Sequence, residues 1–196
     1  VGKGSNLIVD DAGFRGLVIR LAGRLAGISV RSDRTLWCGG GASLPRAVQR
    51  AAAAGLTGLE FGASIPGTVG GAVAMNAGAW ASDLSEVLDW AVICDAEGRH
   101  TVGRDDLAMG YRTTAVKGDQ VVAAAGFRLA PGDTAAIKAV LDDLRAKRRS
   151  SQPQGVRTFG SVFTNPEGDS SGRLIEAAGL KGFAIGGARI SPVHAN

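Results

Sequence analysis

Glycine is the residue that most narrows the folds open to this chain. Thirty of its 196 residues are Gly against six Pro. Many fall in three clusters: Gly2-Lys3-Gly4-Ser5-Asn6, Gly39-Gly40-Gly41, and Gly62-Ala63-Ser64-Ile65-Pro66-Gly67-Thr68-Val69-Gly70-Gly71. That density excludes a chain of regular helices and strands alone, and no Gly-X-Y period points to collagen. Glycine is used where backbone takes positive φ or approaches another group closely. Successive N–H groups in such loops form nests that suit a phosphate or diphosphate. Tight turns between strands are the competing reading, and Gly39–Gly41 by itself is read as a turn. Gly2-Lys3-Gly4-Ser5 lacks the spacing of a P-loop, and no third glycine completes a Gly-x-Gly-x-x-Gly fingerprint at Gly2.

Composition removes several classes of function. A net charge of +4 suits a small anionic ligand and does not require nucleic acid. Aromatic residues make up 5% of the chain, too few for base-stacking platforms. Cys38 and Cys94 stand far apart with no Cys-x-x-Cys, and His100 and His194 are the only histidines, so neither a disulfide scaffold nor a metal site is expected. The longest uncharged stretch, Phe61 to Ser82, is interleaved with Gly, Ser, Thr, Pro and Asn. It reads as buried or ligand-covering loop rather than a membrane span. No signal-type sequence opens the chain, and a reducing cytoplasmic compartment is the expectation.

Apolar runs punctuated by glycine predict strands at Leu17–Leu21, Ile28–Arg31, Thr35–Cys38, Leu88–Cys94 and Gln120–Leu129, with a turn at Asp95–Gly98. One helix follows Ser43 as N-cap, with Pro45 in its first turn and Leu44, Ala47, Val48 and Ala51 on one face, ending at Gly55. A second is capped by Asp133 or Thr134, carries Ile137, Val140, Leu141 and Leu144 at helical spacing, and ends in the basic run Arg145–Arg149. A third runs from Ser171, read as its N-cap, to Ala178 and stops at Gly179. The change of pattern at Pro131–Gly132 sets a domain boundary, giving residues 1–130 and 131–196.

Two further segments offer chemistry. Gly160-Ser161-Val162-Phe163-Thr164-Asn165-Pro166, if extended, puts Ser161, Phe163 and Asn165 on one face, so that a hydroxyl and an amide could meet one ligand. A strand end and turn before Pro166 is the plainer reading. Tyr111-Arg112 sets an Arg beside the only Tyr, either as a surface salt bridge or as a fork for a carboxylate. Gly168-Asp169-Ser170-Ser171-Gly172 is one residue off a serine-protease motif, but a helix pattern follows it directly. His194 is read as structural.

These segments, in this order, resemble the UDP-N-acetylenolpyruvoylglucosamine reductase family. The resemblance runs through Gly2–Leu7, Gly55–Glu60, Gly67–Gly71, Met75–Ala79, Tyr111-Arg112, Gln152-Pro153, Gly160–Pro166, Leu174–Glu176, Gly179–Gly182 and His194-Ala195-Asn196. It implies an α+β fold, with an FAD-binding fold of the vanillyl-alcohol-oxidase/PCMH type over residues 1–130 and a smaller α/β substrate domain over 131–196. It implies FAD as bound cofactor and NADPH as co-substrate. FAD is expected at Gly2, Lys3, Gly4, Ser5, Asn6, Leu7, Gly62, Ser64, Ile65, Pro66, Gly67, Thr68, Gly70, Gly71, Asn76 and Gly78. Ser161 carries over as proton donor and Arg112 as stabiliser of the developing enolate, the catalytic pair. Tyr111, Arg112, Arg149 and Asn165 carry over as contacts to a UDP-sugar. The implied enzyme is a cytoplasmic monomer that reduces an enolpyruvyl ether in peptidoglycan synthesis and binds neither nucleic acid nor membrane. The alternatives are another flavin oxidoreductase of the same fold, or a non-catalytic nucleotide- or sugar-binding module.

The chain departs from the family pattern in places. Lys3 replaces a Gly, so one nest amide is expected from a residue that resists positive φ. Trp80 stands where Tyr is common and Thr164 where Lys is common, and Tyr111-Arg112 reaches Phe127-Arg128 without the insertion that longer members carry. The resemblance also implies a catalytic Glu beyond Asn196 and strands before Val1. A polypeptide of these 196 residues alone is therefore expected to bind flavin weakly and turn over little.

Overall fold

Four apolar runs and one polar edge strand pair into one antiparallel sheet. In chain order they are β1 (Ile28–Val30), β2 (Thr35–Gly39), β3 (Leu88–Asp95), β4 (Gly98–Gly103) and β5 (Val121–Arg128), and across the sheet the order is β1-β2-β5-β3-β4. The expected turn joins β3 to β4. Asp95 Oδ1 accepts from the Glu97 N–H at 3.0 Å and Gly98 takes φ +131°, so the two strands meet in register from Asp95↔Gly98 to Trp90↔Gly103. Residues 1–196 are described by this computed structural model, and they fall into two compact units, Val1–Leu144 and Arg145–Asn196.

Helix α1 (Leu44–Ala53) buries the predicted face, Leu44, Ala47, Val48 and Ala51. Helix α2 (Val69–Ala74) packs on β5 and buries Val69, Gly70, Ala72 and Val73. With Leu36, Cys38, Leu59, Leu84, Ala91, Ala125 and Phe127 these residues form one core. The segment Phe61–Ser82 is therefore not a plain loop. It holds a 3-10 turn (Glu60–Ser64), α2, and a hairpin in which Gly78–Ala79 pairs with Ser82–Asp83. Thr68 Oγ1 accepts from the Gly71 N–H at 3.4 Å and starts α2, a cap that the glycines on either side disguised in the sequence.

The run Leu17–Leu21 is not a strand. Leu17, Val18 and Ile19 are exposed, because β1 pairs with β2 alone and the sheet ends there. An apolar run becomes a strand only where a neighbour takes its backbone hydrogen bonds.

Helix α3 (Thr134–Ser151) is capped by Asp133, whose Oδ1 accepts from the Ala136 N–H at 2.8 Å. Ile137 and Leu141 are buried in the first unit's core, while Val140 on the same predicted stripe is exposed. The contacts therefore divide inside α3, at 144/145, whereas the sequence pattern changes at 131.

In the second unit, α4 (Ser171–Ala177) is capped by Ser170, not Ser171: Ser170 Oγ accepts from the Arg173 N–H at 3.2 Å. Ser171 is drawn inward instead, its Oγ donating to the Thr164 carbonyl at 2.7 Å. A two-residue ladder joins Ala184–Ile185 to Ala188–Arg189. No helix of the chain is long and apolar enough to cross a membrane.

Gly39–Gly41 turns out to be a backbone crossing. A Cβ at Gly40 would run into the Val122 carbonyl, one at Gly39 into the Leu25 carbonyl and one at Gly41 into the Leu21 carbonyl. Gly40 also donates to the Ala123 carbonyl at 2.7 Å and accepts from the Gly70 N–H at 2.8 Å. Gly40→Ala is expected to lower stability by about 3 kcal/mol, since backbone on each side has nowhere to move. Gly118→Ala, where a Cβ meets nothing within 4 Å, is expected to stay within about 0.5 kcal/mol of the parent. Urea unfolding of both variants checks the contrast.

Candidate functional site

The first and third glycine clusters come together in the first unit. Ser43 and Thr68, the residues that precede α1 and α2, bridge each other antiparallel, so the two helix N-termini start side by side. The Leu44 N–H donates to the Gly67 carbonyl at 3.3 Å and the Val69 N–H to the Ala42 carbonyl at 2.8 Å. Against this pair lies the first cluster. Ser5 Oγ donates to the Pro66 carbonyl at 3.2 Å, and a Cβ at Gly2 would sit 2.5 Å from Thr68 Oγ1. Gly67, at φ +126°, brings its Cα side toward Ser5 Oγ, which a Cβ would meet at 3.2 Å. The cradle closes only because no side chain fills it.

Its electrostatics have one sign. Neither α1 nor α2 carries an acidic residue in its first turn. Lys3 Nζ donates to Ser43 Oγ at 3.0 Å, which takes the Ser43 hydroxyl away from capping α1 and leaves an ammonium beside the positive end of the helix dipole. The amides of Lys3, Gly4 and Ser5 donate to no backbone acceptor. Lys3 itself keeps ordinary negative φ and the left-handed residue is Gly4, at +70°, so the expected strain at Lys3 is absent. Ammonium, loop amides and two helix ends without a counter-charge form a receptor for an anion with several oxygens. The diphosphate of FAD has that chemistry, and the residues present fit it.

The other residues expected at the cofactor divide by exposure. Lys3, Gly4, Ser5, Asn6, Leu7, Pro66 and Gly71 are exposed, and Gly2, Ser64, Ile65, Gly67, Thr68 and Gly78 are half-buried. Three lie in the interior. A Cβ at Gly62 would press on Val48 and Leu44 of α1, and one at Gly70 would meet the Val122 carbonyl at 2.8 Å. Asn76 is buried, with φ +39°. Its side chain is consumed internally, Nδ2 donating to the Gly110 carbonyl at 2.9 Å and Oδ1 accepting from the Ser85 N–H at 3.1 Å.

That strut brings Tyr111-Arg112 to the Asn76–Gly78 segment that follows α2. Arg112 Nη2 donates to the Gly78 carbonyl at 2.6 Å and Nη1 to the Asn76 carbonyl at 3.4 Å. Thr114 Oγ1 donates to the Ala74 carbonyl at 2.8 Å. The Arg112 guanidinium lies 5.1 Å from the centre of the Tyr111 ring. The guanidinium is therefore held by neutral carbonyls and an aromatic face, and no carboxylate of the protein is paired with it. Within residues 1–196 the guanidinium makes hydrogen bonds to carbonyls and no salt bridge.

Ser161, Asn165 and Arg149 belong to the second unit. Ser161 and Arg149 are exposed. Residues 160–166 form no strand, so no ladder enforces the expected common face of Ser161, Phe163 and Asn165. Asn165 Oδ1 accepts from the Ser171 N–H at 3.1 Å. Sequence reasoning missed two supports here. Asn196, matched only as part of a motif, holds Val162 and Phe163 through its side chain. Asp169 pairs with Arg173 across one turn of α4 and accepts from the Ser170 N–H at 2.7 Å. His194 is structural as expected, its Nδ1 lying 2.8 Å from the Asn196 backbone oxygen.

With this geometry in hand, the comparisons with known proteins are specific. Residues 1–103 match the FAD binding domain model, so the first unit is of the flavin-dinucleotide-binding class. Residues 152–196 match the UDP-N-acetylenolpyruvoylglucosamine reductase C-terminal domain. The crystal structure of that reductase from Thermus caldophilus superposes with a TM-score of 0.91 at 36% identity, covering 100% of this chain and 71% of that one. Reductases so named from Acidiphilium cryptum and Anaeromyxobacter dehalogenans are 46% and 47% identical over 100% of this chain. The chain belongs to the UDP-N-acetylenolpyruvoylglucosamine reductase family. It spans 63% and 59% of the length of those two relatives.

The Arg173 guanidinium, hydrogen-bonded to Asp169, lowers that carboxyl to about 2 from its ordinary 3.8. A depressed carboxyl pKa means that the folded state favours the ionised form. Its contribution is thus complete above 3.8 and lost as pH falls through about 2. Amide exchange in the first turn of α4 is expected to accelerate over that window in the parent. Asp169→Asn should show fast exchange throughout and no pH step.

Proposed function

We propose that this chain forms the cofactor- and substrate-handling core of a UDP-N-acetylenolpyruvoylglucosamine reductase. Residues 1–130 serve as the FAD-binding region and 131–196 as the substrate-binding domain. The reaction is the NADPH-driven reduction of UDP-N-acetylglucosamine enolpyruvate to UDP-N-acetylmuramate, in the cytoplasm, by a monomer. The observation that carries the reading is Arg112: a guanidinium anchored on the Asn76 and Gly78 carbonyls with no acidic partner is a fork waiting for a carboxylate. An enolpyruvyl ether brings that carboxylate next to the bond to be reduced.

In this reading the diphosphate of FAD is held by the amides of Gly2 to Asn6, by Lys3 Nζ, and by the N-termini of α1 and α2. FAD, when bound, would supply the hydride chemistry that links NADPH to the enolpyruvyl double bond. Everything else falls to side chains. Arg112 binds the substrate carboxylate and stabilises the enolate charge that develops on it, an effect worth about 3 kcal/mol for one well-placed donor. Tyr111 stacks on Arg112 and keeps the guanidinium plane oriented. Ser161 Oγ gives its proton to the carbon next to the one that receives hydride. An alcohol is a weak acid, so this step depends on the enolate being electron-rich and on the hydroxyl being correctly placed. Asn165 and Arg149 complete the contacts to the UDP-sugar.

A visible spectrum separates this proposal from a binding module, since bound oxidised flavin absorbs at about 450 nm and a redox-silent module does not. In the flavin-loaded enzyme, Ser161→Ala should leave reduction by NADPH intact and slow reoxidation by substrate by about 100-fold or more. Arg112→Lys keeps the charge but loses the fork, and should raise KM and lower kcat together. Equal loss of both half-reactions in the serine variant would count against a proton donor at Ser161.

A further inference from the structure

The segment that follows Gly160 has no sheet to hold it, yet it is not loose. One side chain makes three hydrogen bonds to the two residues after Ser161. Asn196 Oδ1 accepts from the Val162 N–H at 3.0 Å and from the Phe163 N–H at 2.8 Å, and Asn196 Nδ2 donates to the Phe163 carbonyl at 2.8 Å. A carboxamide has the donor and acceptor of a peptide group, so Asn196 pairs with Phe163 as a neighbouring strand would.

The carboxamide is itself seated. Asn196 is half-buried, a Cβ at Gly172 would lie 3.7 Å from the Asn196 Cβ, and His194 Nδ1 approaches the Asn196 backbone oxygen at 2.8 Å. His194 is steadied in turn by its own N–H donating to Ser191 Oγ at 3.3 Å. On the far side of the segment, Ser171 ties down the Thr164 carbonyl and Asn165 Oδ1. Phe163 and Val162 are exposed, so side-chain packing does not hold this stretch. The backbone bonds to Asn196 do.

We infer that Asn196 is a positioning residue for Ser161, fixing the peptide that follows the serine and so the direction of its hydroxyl. The inference rests on the reading of Ser161 as proton donor. Proton transfer is sensitive to such placement, and a displacement of about 1 Å can cost about 100-fold.

The test uses three variants in the flavin-loaded enzyme. Asn196→Leu keeps the volume and loses all three bonds, Asn196→Ser loses them without the apolar bulk, and Asn196→Asp keeps the acceptor for both N–H groups. The leucine and serine variants should slow reoxidation by the enolpyruvyl substrate about 10- to 100-fold, leave reduction by NADPH unchanged, and unprotect the Val162 and Phe163 amides in hydrogen exchange. The aspartate variant should recover most of the rate and the protection. Because Asn196 acts through Ser161, Asn196→Ser should add nothing to Ser161→Ala. Should the leucine protein fail to fold, the serine variant decides alone. Wild-type reoxidation in Asn196→Ser, or a further loss on the Ser161→Ala background, overturns the inference and leaves the proton donor standing. Wild-type reoxidation in Ser161→Ala itself overturns both.

Discussion

The structure of the first unit depends on backbone meeting backbone at Gly40. There the end of β2 lies against the Val122 carbonyl, donates to Ala123 and accepts from Gly70, leaving no space for even one methyl group. This contact ties the sheet to the start of α2. Because Ser43 follows three residues later and bridges Thr68, it also fixes where α1 begins. Close approach of main chains is strong where every N–H finds its acceptor and impossible where a Cβ intervenes. The glycines of the middle cluster are thus there for the crossing, and the anion receptor is its consequence.

Two helix N-termini that start side by side, with Lys3 Nζ on Ser43 and no carboxylate in either first turn, cost the apoprotein electrostatic energy. An arrangement of that kind is retained when an anion repays it. Lys3 shows how the same position can change its means. A glycine there would contribute an amide alone, whereas the lysine keeps its amide at ordinary φ and adds a charge hydrogen-bonded to Ser43. The buried amide of Asn76 links the segment that follows α2 to the loop that bears Arg112. It spans from the loop that bears Gly78 to the loop that bears Arg112, so the two cannot shift independently without leaving a buried donor or acceptor unmet.

Much of this was legible in the chain. The strands β1, β2, β3 and β5, the faces of α1 and the start of α3 followed from periodicity and capping chemistry, because these signals are local and repeat. The motif order pointed to the same family that the comparisons found. What stayed hidden was set by distant partners. Leu17–Leu21 has the text of a strand but no neighbour to pair with. The hairpin at Gly78–Asp83 turns on Trp80 and Ala81, both with positive φ, where glycine or asparagine would have announced it. Ser170 and Ser171 are equivalent as letters, and the Thr164 carbonyl decides which of them caps α4.

The sequence alone pointed to glycine loops with the chemistry of an anion nest, to an arginine and a serine of the kinds a carboxylated substrate would need, and to two kinds of structure that succeed each other along the chain. Only the tertiary structure decided which glycines border the Ser5–Thr68 cradle and which pack the interior, that Arg112 rests on carbonyls, and that Asn196 grips the peptides after Ser161. The physical reason is range. Propensity and spacing act over a few residues, whereas these contacts join groups that are tens of residues apart, and their hydrogen bonds exist only once packing has brought both ends together.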